Sequence, residues 1–284
     1  MKRIQDIIAT ELSVQNHQVQ AAVQLLDEGA TVPFIARYRK ELTSGLDDTQ
    51  LRHLEERLHY LRELQERRES VLKSITEQGK LTSELEQSIA AAQSKTQLED
   101  LYLPYKKKRR TKAQMAREAG LEPLARGLLE NPSLDPETLA ESYLNTDKGV
   151  IGTKVALDGA RQILMEDFAE DAQLVGFLRD HLWNYGVLTS RVVADKKQQR
   201  SKFADYFDYA EKIAKLPSHR VLALLRGRNE GVLTLKLDIE VDEGRVHPCE
   251  LQIANRFEIE DRNRAADKWL LGTVQWAWKV KLHT

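Results

Sequence analysis

Cysteine is nearly absent from this sequence: one residue, Cys249, in 284. A single thiol excludes an intramolecular disulfide and makes a reducing compartment the default reading. Aromatics are sparse at 6%, and Pro and Gly number only 7 and 14. Scarce turn formers alongside abundant Leu, Ala, Glu, Lys, Arg and Gln favour helices over sheets. Long apolar runs are missing too. The N-terminus, MKRIQDIIATEL, lacks the uninterrupted apolar stretch of a signal peptide, and no segment approaches the length of a membrane span. The expectation is a cytoplasmic, mainly α protein with no membrane association. Net charge is also lacking, at -1 overall, although 31% of residues are charged. The informative charge is therefore local.

Periodicity places three short helices in residues 4–42: Ile4 to about Leu12, Val14 to Asp27 with a stop at Gly29, and a third with Thr31 as N-cap and Pro33 in its first turn. In the third, Phe34, Ile35 and Tyr38 share a face opposite Arg37 and Lys40, with Arg39 and Glu41 flanking. Two helices about a Gly-containing turn, the second rich in cations, fit a helix-turn-helix-like subdomain over 1–46. A long helical arm over 47–95 begins with a helix from about Asp47 to Gln78. Its seam of Leu51, Leu54, Leu58 and Leu61 falters at Gln65 and Arg68 and resumes at Leu72 and Ile75. Glu63 and Arg67 stand at i,i+4 spacing on its surface. The incomplete heptad points to a monomer. Thr82 and Glu84 open a further helix that ends before Lys95.

Residues 96–134 hold a basic segment and two helices, near 112–119 and 121–130. Residues 135–284 form a further helical region, with helices near 135–142, 153–169 and 171–184. Short strands are expected at Val187–Val193 and Val232–Ile239, and Lys202–Lys215 reads as helix. HRVLALLRG (219–227), preceded by Ser218 as an N-cap candidate, is helix or strand. Ala265–Thr284 is helical in pattern and carries Trp269, Trp276 and Trp278. An apolar pattern still running at the last residues suggests a piece of a longer chain.

The strongest functional signal is Leu101–Ala125. It carries seven cations (Lys106, Lys107, Lys108, Arg109, Arg110, Lys112, Arg117) against two acids, Glu118 and Glu122. Concentrated positive charge attracts a polyanion within a Debye length. Lys and Arg neutralise phosphates without reading bases, so such a contact would be salt-sensitive and sequence-tolerant. Tyr102 and Tyr105 are candidates for stacking on bases. Residues 135–180 hold ten acids and four bases. The competing reading therefore packs the basic run against the chain's own acidic part. Arg37, Arg39 and Lys40 likewise have two readings: nucleic-acid contact, or pairing with carboxylates of the long helix.

Catalytic patterns fare poorly. Ser218 and His219 are adjacent, so their side chains diverge, and no orienting acid stands at a recognisable spacing. Arg220 reads as an ion-pair partner. His247-Pro248-Cys249 lacks the second ligand pair that a structural zinc site needs. Phosphate-binding glycine motifs are missing, since Gly149 and Gly152 lack the spacing. No cofactor and no catalysis are expected.

Three ordered segments carry a family resemblance: LDEGATVPFIARYRKELTSGLDD (26–48), LEDLYLPYKKKRRTKAQMAREAGLEPLA (98–125) and LPSHRVLALLRGRNEGVL (216–233). Together they resemble the N-terminal region of the Tex family of bacterial transcription accessory proteins, and the likeness extends over essentially the whole chain. Family members are larger, with a RuvC-like YqgF module, a helix-hairpin-helix module and a C-terminal OB-fold RNA-binding module, none of which fits here. The resemblance implies a helical scaffold in a protein that binds nucleic acid, RNA more than DNA, and acts in transcription regulation. RNA polymerase or its associated factors are the implied protein partners. The alternative it leaves open is a scaffold that docks the later modules or the transcription machinery without touching nucleic acid.

Overall fold

The computed structural model describes residues 4–106, 110–196, 201–242 and 244–283. Among them are fourteen α-helices and one three-stranded antiparallel sheet, so the mainly α expectation holds. The chain divides into two compact units, Met1–Tyr105 and Lys106–Thr284.

The first unit is built around α4 (Asp48–Glu77), onto which α1 (Ile4–Leu12), α2 (Asn16–Asp27), α3 (Val32–Tyr38), α5 (Ser83–Ala91) and α6 (Lys95–Tyr102) pack. Asp47 starts α4 with a reciprocal cap: its side chain accepts from the Gln50 amide at 2.7 Å, and Gln50 accepts from the Asp47 amide at 3.0 Å. The buried stripe of α4 runs Leu51, Leu54, Leu58, Leu61, Leu64, Arg68, Val71 and Ile75. It does not falter where the sequence suggests. Leu64 and Val71 continue it, Leu72 is only half-buried, and Arg68 enters the core as an arginine.

Arg68 has a clear structural role. Its Nε donates to the Ile89 carbonyl at 3.1 Å and its Nη2 to the Ala92 carbonyl at 2.9 Å. These carbonyls lie at the C-terminal end of α5, where the last turn lacks intrahelical donors and carries the negative end of the helix dipole. Burial holds the guanidinium below its ordinary pKa. Cations on the other faces of α4 tie down its neighbours: Arg57 to Glu11, Arg62 to Asp27 and Arg67 to Glu99. Glu63 meets Lys95 rather than Arg67, because α6 supplies cross-helix partners to both.

In the second unit, α10 (Thr153–Glu170) is the central helix. It packs against α7 (Lys112–Ala119), α8 (Glu122–Glu130), α9 (Pro136–Glu141), α11 (Ala172–Tyr185) and α14 (Asp267–Ala277). Ala156, Ala160, Ile163, Leu164 and Phe168 are fully buried along it, and α13 (Pro248–Arg256) adds Cys249 and Ile253 to the same core. The chain turns from α14 into a wider π-helical turn at Trp278–Leu282, which buries Trp278.

The sheet has the order β2-β1-β3, with β1 (Val187–Val192) central, β2 (Asp208–Lys212) and β3 (Leu233–Asp238). Val187 sits opposite Lys212 on one side and Asp238 on the other. Strands β1 and β3 fall where alternation placed them. Lys202–Lys215 does not form a helix. It contains a 3-10 turn at Ala204–Tyr206, then β2, then another 3-10 turn at Ile213–Lys215. The helix formers Ala, Glu and Lys lose here to backbone pairing with β1 and to the alternation of exposed and half-buried side chains. HRVLALLRG lies in α12 (Ser218–Asn229), with Pro217 rather than Ser218 at the N-cap. Gly227 on α12 lets β3 approach, since a Cβ there would meet Leu233 Cδ1 at 2.5 Å.

Candidate nucleic-acid interface

The basic segment starts at the end of the first unit. After α6 a 3-10 turn, Leu103–Tyr105, brings the chain to Lys106, which is exposed. Lys107, Lys108 and Arg109 lie outside the described residues. Thr111 then caps α7 by accepting the Gln114 amide at 3.0 Å, and Lys112 stands exposed as the first residue of that helix. Arg110, also exposed, pairs with Glu118 near the C-terminal end of α7. That bond, followed by one from Gln114, holds the Glu118 carboxyl below its usual pKa.

Further along, the charge is consumed internally. Arg117 donates to Glu166 at 2.6 Å and to Asp167 at 2.8 Å, and both acceptors are on α10. Burial works against the Arg117 charge, but the Glu166 bond and the Asp167 charge outweigh it and raise its pKa. Arg126 approaches the second Asp167 oxygen at 2.9 Å without the alignment of a hydrogen bond. Burial nevertheless raises the Asp167 pKa, against the pull of Arg126 and Arg117. The pairing of basic and acidic segments is thus real for Arg117 and does not extend to Lys106 or Lys112, for which the described residues show no ion pair.

The two tyrosines belong to the first unit. Tyr102 is half-buried, its hydroxyl is 3.0 Å from Ser74 Oγ, and the Arg67 guanidinium lies 5.3 Å from its ring centroid. Tyr105 is also half-buried, and its carbonyl accepts from Gln78 at 2.9 Å. Both pack against the core of that unit.

Arg37, Arg39 and Lys40 sit together at the end of α3, all exposed, and none forms an ion pair with α4 among the described residues. The face expected to unite Phe34, Ile35 and Tyr38 divides. Val32 and Ile35 are buried, whereas Phe34 is 40% and Tyr38 65% exposed. The core-facing pair is the i,i+3 pair Val32 and Ile35, so Phe34 and Tyr38, four residues apart, share a different stripe of the helix. These exposed rings were not singled out as a surface from the sequence. Their i,i+4 spacing inside an Arg/Lys cluster was the available signal. A second aromatic series, with Phe177 and Tyr185 exposed about a half-buried His181, runs along α11 with successive ring separations of 5.8 and 4.8 Å.

The other chemistry-bearing residues stand apart from the basic segment. Ser218 and His219 are exposed at the start of α12, and Arg220 pairs with Glu211 at 3.0 Å. His247 caps α13: its Nδ1 accepts from the Cys249 amide at 3.1 Å, which leaves the proton on Nε2, 2.9 Å from Asp238 Oδ1. Cys249 is buried, and its thiol is pushed up to about 12 by burial, with Asp238 and Glu250 adding to the effect. No cluster of three or more His, Cys, Asp or Glu suited to a metal ion occurs among the described residues. No helix is long and apolar enough to cross a membrane among them.

A mainly helical scaffold with exposed cations at Lys106, Arg110 and Lys112 is the class of protein defined so far. Residues 131–284 match the family model described as Tex central region-like, and residues 2–76 match Tex-like protein N-terminal domain. The chain is 58% identical over 279 residues to Protein YhgF of Escherichia coli (strain K12), and 55% identical over 279 residues to Transcriptional accessory protein Tex of Neisseria gonorrhoeae. Each alignment covers 97% of this chain and 36% of the relative. S1 RNA-binding domain-containing protein 1 of Homo sapiens is 32% identical over 243 residues, covering 83% of this chain and 24% of that protein. The chain belongs to the Tex-like family of transcription accessory proteins, and it spans about a third of the length of these bacterial relatives.

Proposed function

We propose that this region is the helical scaffold of a Tex-like transcription accessory protein and that it contacts nucleic acid itself, through phosphates and without reading sequence. The observation that carries the proposal is the division of labour in the basic segment. Arg117 is consumed by Glu166 and Asp167, while Lys106 and Lys112 stand exposed at either end of a run that also includes Lys107, Lys108, Arg109 and Arg110. RNA is the favoured strand in the intact protein, in keeping with the S1 RNA-binding name of the human relative. The region has no catalytic role in this reading. It acts in the cytoplasm as a monomer, without a cofactor.

The test is fluorescence anisotropy of labelled RNA and DNA, single- and double-stranded, across a salt series. Three to four phosphate contacts give a log–log salt slope of roughly -2 to -3 on a single strand. Reversing the charge of residues 106–110 should flatten that slope and weaken every nucleic acid alike. Unchanged binding in that variant would remove the basic run from the interface.

A second reading is favoured by the ladder of exposed Phe177 and Tyr185 about half-buried His181 on α11, with Trp183 58% exposed nearby in sequence. An aromatic surface in an acidic stretch suits a protein partner, such as a later module of the same protein, RNA polymerase or a polymerase-associated factor. Binding of such a partner that is lost in Phe177→Ala and Tyr185→Ala, with nucleic-acid affinity absent at low salt, would favour it.

A further inference from the structure

The exposed end of α3 combines two features that surfaces rarely present together. Phe34 and Tyr38 lie outside the core with ring centroids 5.4 Å apart, and Arg39 places its guanidinium 5.1 Å from the Phe34 centroid. Arg37 and Lys40 are exposed beside them, and residues 31–41 contain three cations against one acid, Glu41. Such a surface is complementary in charge to a polyanion and complementary in shape to planar, apolar groups.

The surface is also held in place. Val32 and Ile35 anchor the other side of α3 in the core. The chain after α3 closes on itself: the Lys40 carbonyl accepts from the Gly45 amide at 2.9 Å and from the Thr43 hydroxyl at 3.1 Å. Gln18 of α2 donates to the Ser44 carbonyl at 2.9 Å, and Leu46 is buried just beyond. The Arg39 guanidinium donates to the Tyr38 carbonyl at 3.0 Å, which helps to hold it over the Phe34 ring. A preorganised platform loses little side-chain entropy when a ligand stacks on it.

We propose that Tyr38, Phe34 and Arg39 form a base-stacking platform for single-stranded nucleic acid, with Arg37 and Lys40 holding the flanking phosphates. The site is separate from the basic run of residues 106–112, and it deepens the nucleic-acid reading on which it rests. Its ligand is defined by chemistry: an unpaired base with both faces available, next to a phosphate. A duplex withholds its bases in its own stack and gains only the phosphate contacts. Neither stacking nor phosphate pairing reads the sugar, so RNA and DNA strands should engage this platform alike.

The test is anisotropy of the intact 284-residue chain with a labelled pyrimidine RNA strand, the corresponding DNA strand and a blunt duplex at low salt. The variants are Tyr38→Ala, Tyr38→Phe, Phe34→Ala and the residue 106–110 charge reversal. Tyr38→Ala and Phe34→Ala should each weaken both single strands about fivefold or more and leave the duplex nearly unchanged. Tyr38→Phe keeps the ring and should bind as the native chain does. Equal losses on strand and duplex, or full affinity in Tyr38→Ala, would overturn the platform. If the charge reversal abolishes binding while the ring variants do not alter it, this site fails and the basic-run reading stands. Absence of binding to any probe by the native chain refutes both. Both rings lie outside the core, and thermal melts of each variant check that the fold is kept.

Discussion

Replacing Arg68 with Met tests the account of the first unit most directly. Methionine preserves an unbranched apolar stem along the α4 seam and removes the guanidinium. The Ile89 and Ala92 carbonyls then lose donors now at 3.1 and 2.9 Å, at a position where Arg68 itself is only 8% exposed. Hydrogen bonds from a charged donor contribute about 1.5–3 kcal/mol each. Part of that sum is offset because a buried charge no longer has to be desolvated. The expected net loss is about 2–4 kcal/mol. For a unit of this size that lowers the melting temperature by roughly 10–20 °C. Arg68→Lys should fall between the two, because a single ammonium lacks the fork that spans both carbonyls. The assay can separate the units, because all four tryptophans, Trp183, Trp269, Trp276 and Trp278, lie in the second. Far-UV circular dichroism reports both units and tryptophan fluorescence reports the second. The Arg68→Met loss should appear in the dichroism transition and leave the tryptophan transition in place. An unchanged or higher midpoint would show that Arg68 is a tolerated buried charge rather than the cap that α5 depends on.

Two predictions concern the second unit. Asp267, fully buried, accepts from the Arg262 and Arg264 amides at 2.8 Å each and from Arg264 Nε at 3.0 Å. Burial alone would raise its pKa, but those donors and the Arg264 charge outweigh it and hold the carboxyl below its ordinary value. Its stabilising contribution is therefore present above the unfolded pKa and is lost as pH falls through the lower folded one. Asp267→Asn should reduce stability at pH 7 by about 2–3 kcal/mol and flatten the acid limb of a stability–pH curve followed by tryptophan fluorescence. A parallel acid limb would assign that pH dependence elsewhere. Cys249, with its thiol raised to about 12, should resist a disulfide reagent at pH 8 in the native chain and react fully once denatured. Fast native labelling would contradict its burial.

Local order was largely legible in the sequence. The spans read for α1, α4 and α7 lie within a residue of those observed. Strands β1 and β3 announced themselves by β-branched alternation. These signals act within a few residues of one another, so a linear reading contains them. The long ordered matches similarly pointed to the Tex-like family. What linear reading misplaced depended on distant partners. Helix α6 was overlooked between two stronger patterns, and β2 was taken for helix because its strand character comes from pairing with β1.

The site divides in the same way. The basic run is plain in the sequence, yet only the fold decides which of its cations are free: Arg117 is taken by Glu166 and Asp167, some fifty residues later in the chain. Arg68 read as a defect in a heptad until α5 placed its carbonyl end against that position. Phe34 and Tyr38 read as sharing a face with Ile35 until Val32 and Ile35 took the inward face of α3. By itself the sequence determined the helices, the clustered charge and the family. Tertiary structure alone determined which charges are neutralised and which rings meet solvent, because both depend on side chains that distance along the chain keeps apart and folding brings together.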